Sequence, residues 1–229
     1  MLKIYGAPIS VHTRKAIVVA NLKGLSHEVV PVVPVLPSTL PSNWRSLSPA
    51  GLIPALLEDQ VSLADSTAIC MYLDRAHPQP AVYPTDPRRL AQVLSLEAYA
   101  GDRLFRTVVR VLFNETVIGP KMKQQPTNSA AVAETLHTAL PDAFGFLNQS
   151  AERDYLVGDA LSMADIAVVS NLMNFQYCGF EIDRTRYRRV AALFDRVLAE
   201  HAFQKALEAE RTFADSLGLD TKFLARRAA

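Results

Sequence analysis

The sequence predicts a small α/β domain with a mixed four-stranded sheet, followed by an all-α domain. Three observations lead there. Up to residue 76, short apolar runs alternate with helix-period segments. Pro78, Pro80, Pro84 and Pro87 then crowd a stretch that cannot continue a helix and reads as extended linker. Beyond it, every long pattern is helical. The expected division is residues 1–78, a linker at 79–88, and a helical domain at 89–229.

Leu2–Tyr5 reads as the first strand. Ser10–Gly24 carries Val11, Ala16, Ile17, Val18, Ala20 and Leu22 at helical spacing, with Gly24 as the stop. Val29–Val33 reads as a second strand and Ala55–Leu57 as a third. Val61–Leu63 follows as a fourth after an Asp59-Gln60 turn. Asp65–Ala76 places Ile69, Tyr72, Leu73 and Ala76 along one side of a helix. The order βαβ then ββα describes a mixed sheet with helices packed on it.

In the second half, Asp86-Pro87 supplies an N-cap with proline at the first helical position. That helix is expected to run to about Val117, where Gly119-Pro120 breaks it. Another is expected from Asn128-Ser129 to about Asn148. Leu161-Ser162-Met163-Ala164-Asp165-Ile166 spells a capping box, Ser162 and Asp165 satisfying each other's N–H, flanked by staple residues Leu161 and Ile166. Helices near Tyr187–Glu200 and Ala202–Leu217 complete the bundle.

Composition excludes several functions. The chain has 229 residues, 49% of them hydrophobic, and a formal net charge of +1. Residues 1–80 carry six Lys or Arg against five Asp or Glu, leaving eighteen of each for the remainder. Neither part is a basic surface, so nucleic acid and anionic membrane are not expected partners. No apolar run reaches the ~18–20 residues of a membrane span, and the opening residues do not form a secretory signal. Cys70 and Cys178 lie on separate apolar stretches, which suits a reducing cytoplasm without a disulfide framework. No His/Cys cluster has metal-ligand spacing, so no metal is expected.

The stretch richest in chemical meaning is Gly51-Leu52-Ile53-Pro54-Ala55-Leu56-Leu57. A proline ahead of an apolar strand belongs at its first residue or at an edge. A cis Ile53-Pro54 bond there turns the chain and presents the Ile53 backbone to a peptide-like ligand. Asp65-Ser66 stands where the next helix begins. Together these read as a peptide-binding edge beside a helix N-terminus.

Along essentially its whole length the chain resembles the cytosolic glutathione transferases. The motifs run in the family's order: Tyr5-Gly6, then Ser10-Val11-His12-Thr13-Arg14-Lys15, then Ser48-Pro49-Ala50-Gly51-Leu52-Ile53-Pro54. Asp65-Ser66-Thr67-Ala68-Ile69 and Gly158-Asp159-Ala160-Leu161-Ser162-Met163-Ala164-Asp165 follow. The Ser10-x-x-Thr13-Arg14 spacing is similar to serine-type, phi/theta-like members of bacterial style. The resemblance implies a thioredoxin-like N-terminal domain, an all-helical C-terminal domain contributing the electrophile site, and a cytoplasmic homodimer. It also implies glutathione as co-substrate with no other cofactor, a small-molecule electrophile as the second substrate, and a role in detoxification.

Under that resemblance, Ser10 is the residue expected to hold the glutathione thiolate. A Ser before a helix is also an ordinary N-cap, and the two roles are compatible. Tyr5 is the rival hydroxyl, read as a half-buried strand residue. Thr13 and His12 are lesser rivals, His12 reading as a solvated surface residue. Arg14 reads equally as a support for the first turn or as a solvated side chain. Leu52, Ile53, Pro54, Asp65 and Ser66 are expected to bind glutathione, Ser66 taking the γ-glutamyl carboxylate and Asp65 the ammonium; capping alone also explains that pair. Leu52 stands where the family often carries Gln or Lys, and Asp65 where most members carry Glu. The His-Lys pair of phi-like members falls near Thr39 and Leu40. The glycine carboxylate is thus left to Arg45 or a neighbouring subunit, and ordinary to weak affinity is expected.

Ile9, Tyr99, Arg103, Arg106 and Tyr177 are expected to line the electrophile pocket. Arg103, Arg106 and Arg110 also fit a solvated basic face, and Tyr99 fits a core. Two further functions stand beside conjugation. Peroxide or disulfide reduction normally favours Cys where Ser10 stands, and a non-catalytic interaction protein would tolerate Leu52.

Overall fold

The first strand, β1 (Leu2–Tyr5), alternates: Leu2 and Ile4 are buried while Lys3 and Tyr5 are half-buried. That two-residue period makes one face of the sheet core. The computed structural model describes residues 1–151 and 153–225. After β1 come α1 (Val11–Leu22), β2 (His27–Val30), α2 (Trp44–Leu47), β3 (Ala55–Glu58), β4 (Val61–Ala64) and α3 (Ser66–Ala76). The strands form one mixed sheet in the order β2-β1-β3-β4. β1 and β2 are parallel, as a helical crossover requires, and the other pairs are antiparallel. Ile4 sits opposite Leu56, both fully buried, and α1 and α3 pack against each other.

The strand predicted at Val29–Val33 instead covers His27–Val30. Pro31 has no N–H for the ladder and ends it. At the other end the strand takes in two polar residues, because β2 is an edge strand. Glu28 there lies opposite Lys3 and forms a 3.0 Å ion pair with it. The β3–β4 hairpin turns through Asp59-Gln60, with Asp59 at φ 49°. Asp accepts this left-handed conformation better than most residues. The short α2 has no periodic pattern to announce it. It exists because Trp44 and Leu47 bury against Val32 and Ala55, with Tyr5, Leu40 and Ile53 packed around them.

Gly6 joins β1 to the loop before α1. A Cβ at Gly6 would lie 2.8 Å from Thr13 Cγ2 and closer still to Thr13 Oγ1. Only glycine lets the strand end approach the first turn of α1. Gly6→Ala is therefore expected to cost about 1–3 kcal/mol, the range for overpacking. Thermal melting of the single variant and of Gly6→Ala combined with Thr13→Ala checks this. The second change removes the two nearest atoms and should recover part of the loss, and an unaltered midpoint in the single variant would refute the packing argument.

The helices of the second half begin with α4 (Pro87–Tyr99), capped by Asp86, whose carboxylate accepts from the Arg89 N–H at 2.9 Å. The helix does not stop near Val117. It continues through Ala100–Leu104 and Arg106–Met122 in the wider π-helical winding. A proline in an α-helix collides with the carbonyl four residues back. The wider winding lets Pro120 sit inside the final turn.

The single helix expected over residues 128–148 is two, α5 (Ser129–His137) and α6 (Ala139–Ser150), broken at Thr138 with φ −120° and ψ −79°. Pro141 explains the break, since its ring would clash with the His137 carbonyl and it has no N–H to offer. Then follow α7 (Met163–Tyr177), α8 (Arg188–Ala199) and α9 (His201–Ser216). Every residue of α7 is buried, including the polar Asp165, Ser170, Asn171, Asn174 and Gln176, which makes it the central helix of this half. It packs against α4, α8 and the π-helical segments.

The described residues gather into two compact units. One is Met1–Tyr83 with His201–Phe213; the other is residues 84–200 with 214–225. Most of α9 therefore belongs with the sheet. Among the described residues, no helix is long and apolar enough to cross a membrane.

Candidate functional site

The sheet-bearing unit brings two helix N-termini together. Ser10 caps α1 in extended backbone, its Oγ accepting from the Thr13 N–H at 3.5 Å. That bond is long, so the cap on α1 is weak. The Arg14 N–H bonds the Ser10 carbonyl at 2.8 Å and starts the helix. Asp65 caps α3 from φ 89°, its Oδ1 accepting from the Thr67 N–H at 2.8 Å and the Ala68 N–H at 3.1 Å.

Ser66, 4% exposed, opens α3 between two side chains of α1. The Lys15 ammonium donates to its Oγ at 3.3 Å and to Thr67 Oγ1 at 3.5 Å. The His12 Nδ1 lies 3.3 Å from the same Ser66 oxygen. His12 is thus half-buried and engaged, not the solvated residue expected from its place in the sequence. Lys15, 3% exposed, is the functional candidate that reading by motif missed. The available signal was spacing: His12 and Lys15 are three apart on one helix and so share a face. What that face meets depends on α1 packing against α3.

Arg14 is not solvated either. It is fully buried, forked onto Glu210 of α9, and bonded to the Ile9 carbonyl at 3.2 Å. Tyr5, the rival hydroxyl, packs its ring toward the Trp44 cluster.

Ile53-Pro54 is cis and leads into β3. Leu52 has both its backbone groups on buried Ser48: its N–H donates to Ser48 Oγ at 3.0 Å, and the hydroxyl donates to its carbonyl at 2.7 Å. The side chain of Leu52 is left 61% exposed. Arg45, on α2, donates to the Pro49 carbonyl at 3.3 Å and lies along Gly51, whose φ is +71°. A Cβ at Gly51 would fall 2.8 Å from the guanidinium, so glycine serves both the turn and the close approach.

Of the residues expected to line the electrophile pocket, Ile9 is buried in the first unit beside Ser10. In the second unit Tyr99 is half-buried, its ring 4.4 Å from that of Phe146, and burial pushes its phenol pKa up. Arg103 is exposed, and Arg106 pairs with Asp102 one turn away at 2.6 Å. Arg110 is also exposed and stacks over Phe105, 5.5 Å from its ring centroid. Tyr177 is only 2% exposed, set edge-on to Phe223. Its place at the buried end of α7 makes it a core residue.

Neither Cys70 nor Cys178 is in a disulfide. Burial pushes the Cys178 thiol up to about 12, against a smaller lowering by the Thr116 hydroxyl, so it stays protonated at neutral pH. Among the described residues, no cluster of three or more His, Cys, Asp or Glu side chains is arranged to hold a metal ion.

Comparison with known proteins bears on the family and the fold. Residues 4–81 match the family model for the glutathione S-transferase N-terminal domain, and residues 113–210 that for its C-terminal domain. The chain is 28% identical over 185 residues to maleylacetoacetate isomerase of Mus musculus, covering 80% of this chain and 81% of that protein. It is 27% identical over 218 residues to glutathione S-transferase Z1 of Arabidopsis thaliana, covering 94% and 95%. The apo structure of human glutathione S-transferase T1-1 superposes with a TM-score of 0.82 at 25% identity, covering 94% of this chain and 91% of that one. The four-stranded mixed sheet with α1 and α3 is the thioredoxin-like half of this architecture. The matches to both domain models, over residues 4–81 and 113–210, place this chain in the glutathione S-transferase family of enzymes.

Proposed function

We propose that this protein conjugates the glutathione thiolate to a small hydrophobic electrophile, with Ser10 donating its hydroxyl hydrogen to the sulfur. The supporting observation is that α1 and α3 bring their N-termini side by side, linked through Lys15, His12 and Ser66. Each N-terminus favours negative charge. Ser66, backed by the Lys15 ammonium, suits the γ-glutamyl carboxylate, and Asp65 suits the ammonium. The Ile53 backbone at the head of β3 suits the cysteinyl peptide group. Arg45, lying along Gly51, is the nearest cation along the chain for the glycine carboxylate.

The energetics are sufficient. A free thiol has a pKa of about 8.5. Lowering it by ~2 units requires roughly 2.7 kcal/mol of preference for the thiolate. A hydrogen bond to a charged group supplies about 1.5–3 kcal/mol, and the helix dipole adds about 0.3–1. In the transfer, the sulfur lone pair forms the bond to the electrophilic carbon. The displaced electron pair leaves with the departing group, or takes a proton from water when the reaction is an addition.

Ser10→Ala removes the donor while sparing the tripeptide contacts. It is expected to lower kcat/KM toward a chlorodinitrobenzene-type probe by about 10- to 150-fold, the hydrogen-bond range above expressed as a rate, with retention on immobilised glutathione preserved. An unaltered rate would show that another group holds the sulfur. The Mus musculus relative, by its name, supplies a second reading, isomerisation of maleylacetoacetate, so that compound and a hydroperoxide are assayed in parallel. A cytoplasmic homodimer acting in detoxification belongs to the same proposal, and sedimentation of the purified protein checks the dimer.

A further inference from the structure

The Ser10 loop is tied to a residue almost two hundred positions away. Arg14 Nε donates to Glu210 Oε2 at 2.8 Å, and Nη2 donates to Glu210 Oε1. The same Nη2 donates to the Ile9 carbonyl at 3.2 Å. Ile9 immediately precedes Ser10. The guanidinium is 0% exposed and the carboxylate 1%. A second tie runs from Asn21 Nδ2 to the Ala202 carbonyl at 3.0 Å. Residues 14 and 21 of α1 thus meet residues 210 and 202 of α9, about two helical turns apart on each, so α9 lies antiparallel along α1. Ala202, Phe203, Ala206, Leu207 and Glu210 form its buried stripe.

We propose that Glu210 is a positioning residue for the thiol site, acting through Arg14 on the carbonyl ahead of Ser10. This proposal rests on the reading of Ser10 as the thiolate's donor. A guanidinium is a rigid planar fork. Once Glu210 fixes two of its N–H groups, the direction of the remaining donors is set. The Ile9 peptide is then held in one orientation, and with it the backbone from which the Ser10 hydroxyl projects. A hydroxyl aimed at a thiolate loses strength steeply as the angle opens, so small rotations of this loop weaken thiol ionisation before they weaken tripeptide binding. Glu210 acts through Arg14 on Ile9, whereas Ser66 is held by Lys15 and His12, so its effect should separate ionisation from affinity.

The test replaces the pair by apolar residues of similar volume, Arg14→Met with Glu210→Leu. Buried ion pairs exchanged in this way commonly keep or gain stability, whereas removing one partner does not. Ionisation of the bound glutathione thiol is followed by its ultraviolet thiolate absorbance against pH, beside the pH profile of kcat/KM and the glutathione dissociation constant. The expected result is a folded protein whose bound thiol titrates about one pH unit higher, with roughly tenfold lower turnover below neutral pH and a dissociation constant within about threefold of the parent. Glu210→Gln, close to the native shape, is read in the same way and is the deciding variant if the double variant does not accumulate folded.

Ser10→Ala is the control. If it leaves the thiol titration unmoved, the Ser10 reading fails and takes this proposal with it. If Ser10→Ala shifts the titration but the folded pair variants match the parent, only the role of Glu210 is overturned. A matched loss of affinity and ionisation would also overturn it, since that is the signature of general loosening.

Discussion

Asp165→Ala is expected to lower the stability of the helical unit by about 3–5 kcal/mol, because the Ser162 N–H of the capping box and the Leu156 N–H are both left buried without acceptors. Asp165 is fully buried one turn into α7. Its Oδ2 accepts from the Ser162 N–H at 2.8 Å and the Ser162 hydroxyl at 2.7 Å, while Oδ1 accepts from the Leu156 N–H at 2.7 Å. One carboxylate thus closes the N-terminus of the central helix and pins the loop before it. Burial pushes its pKa up, and the hydrogen bonds it accepts pull the other way. For a protein of this size, each kcal/mol moves the midpoint by about 2–4 °C, so a drop of roughly 10 °C is expected on thermal melting. Asp165→Asn keeps one acceptor oxygen and should fall between the two. A midpoint for Asp165→Ala within about 2 °C of the parent would contradict the assignment.

Glu210→Ala should be comparably damaging, for a different reason. It leaves the Arg14 guanidinium at zero exposure without its carboxylate. Breaking a buried pair from one side costs about 3–5 kcal/mol, because the surviving charge remains desolvated. The Arg14→Met, Glu210→Leu double variant should recover most of that loss. Arg14→Met and Glu210→Leu, each made alone, should also be costly, so that with the double variant and the parent they are strongly non-additive, as expected of side chains in contact. Urea denaturation of the four proteins measures this cycle from midpoints and slopes. Additive single-site losses would mean that the pair contributes little as a pair.

The features that sequence pattern located are those closed within a few residues. Ser10, Asp65, Asp86 and Ser162 were each expected to stand at a helix start, and each does. A capping side chain reaches backbone N–H groups only two or three positions ahead, so residue type and spacing carry that information. The Asp59-Gln60 hairpin belongs to the same class. Errors arose where the deciding partner lay elsewhere. β2 starts two residues earlier than its apolar run because His27 and Glu28 lie in register with Leu2 and Lys3 of the neighbouring strand. α2 forms because Val32 and Ala55 shelter Trp44. Pro120 proved compatible with its helix, whereas Pro141 broke one, and only the winding of the surrounding backbone separates the two cases.

The candidate site divides along the same line. Ser10, Ile53, Pro54, Asp65 and Ser66 could be picked out because the family's motifs are contiguous in the chain. His12 beside Ser66, Lys15 beneath it and Glu210 behind Arg14 emerge only when α1 is packed on α3 and α9 is laid along α1. By itself the sequence determined the two-part α/β and all-α plan and the capped helix starts, since each depends on short-range hydrogen bonding or local periodicity. Tertiary structure alone decided which charges are buried and what they hold. Desolvation and ion pairing depend on distance in space, and distance along the chain does not report it.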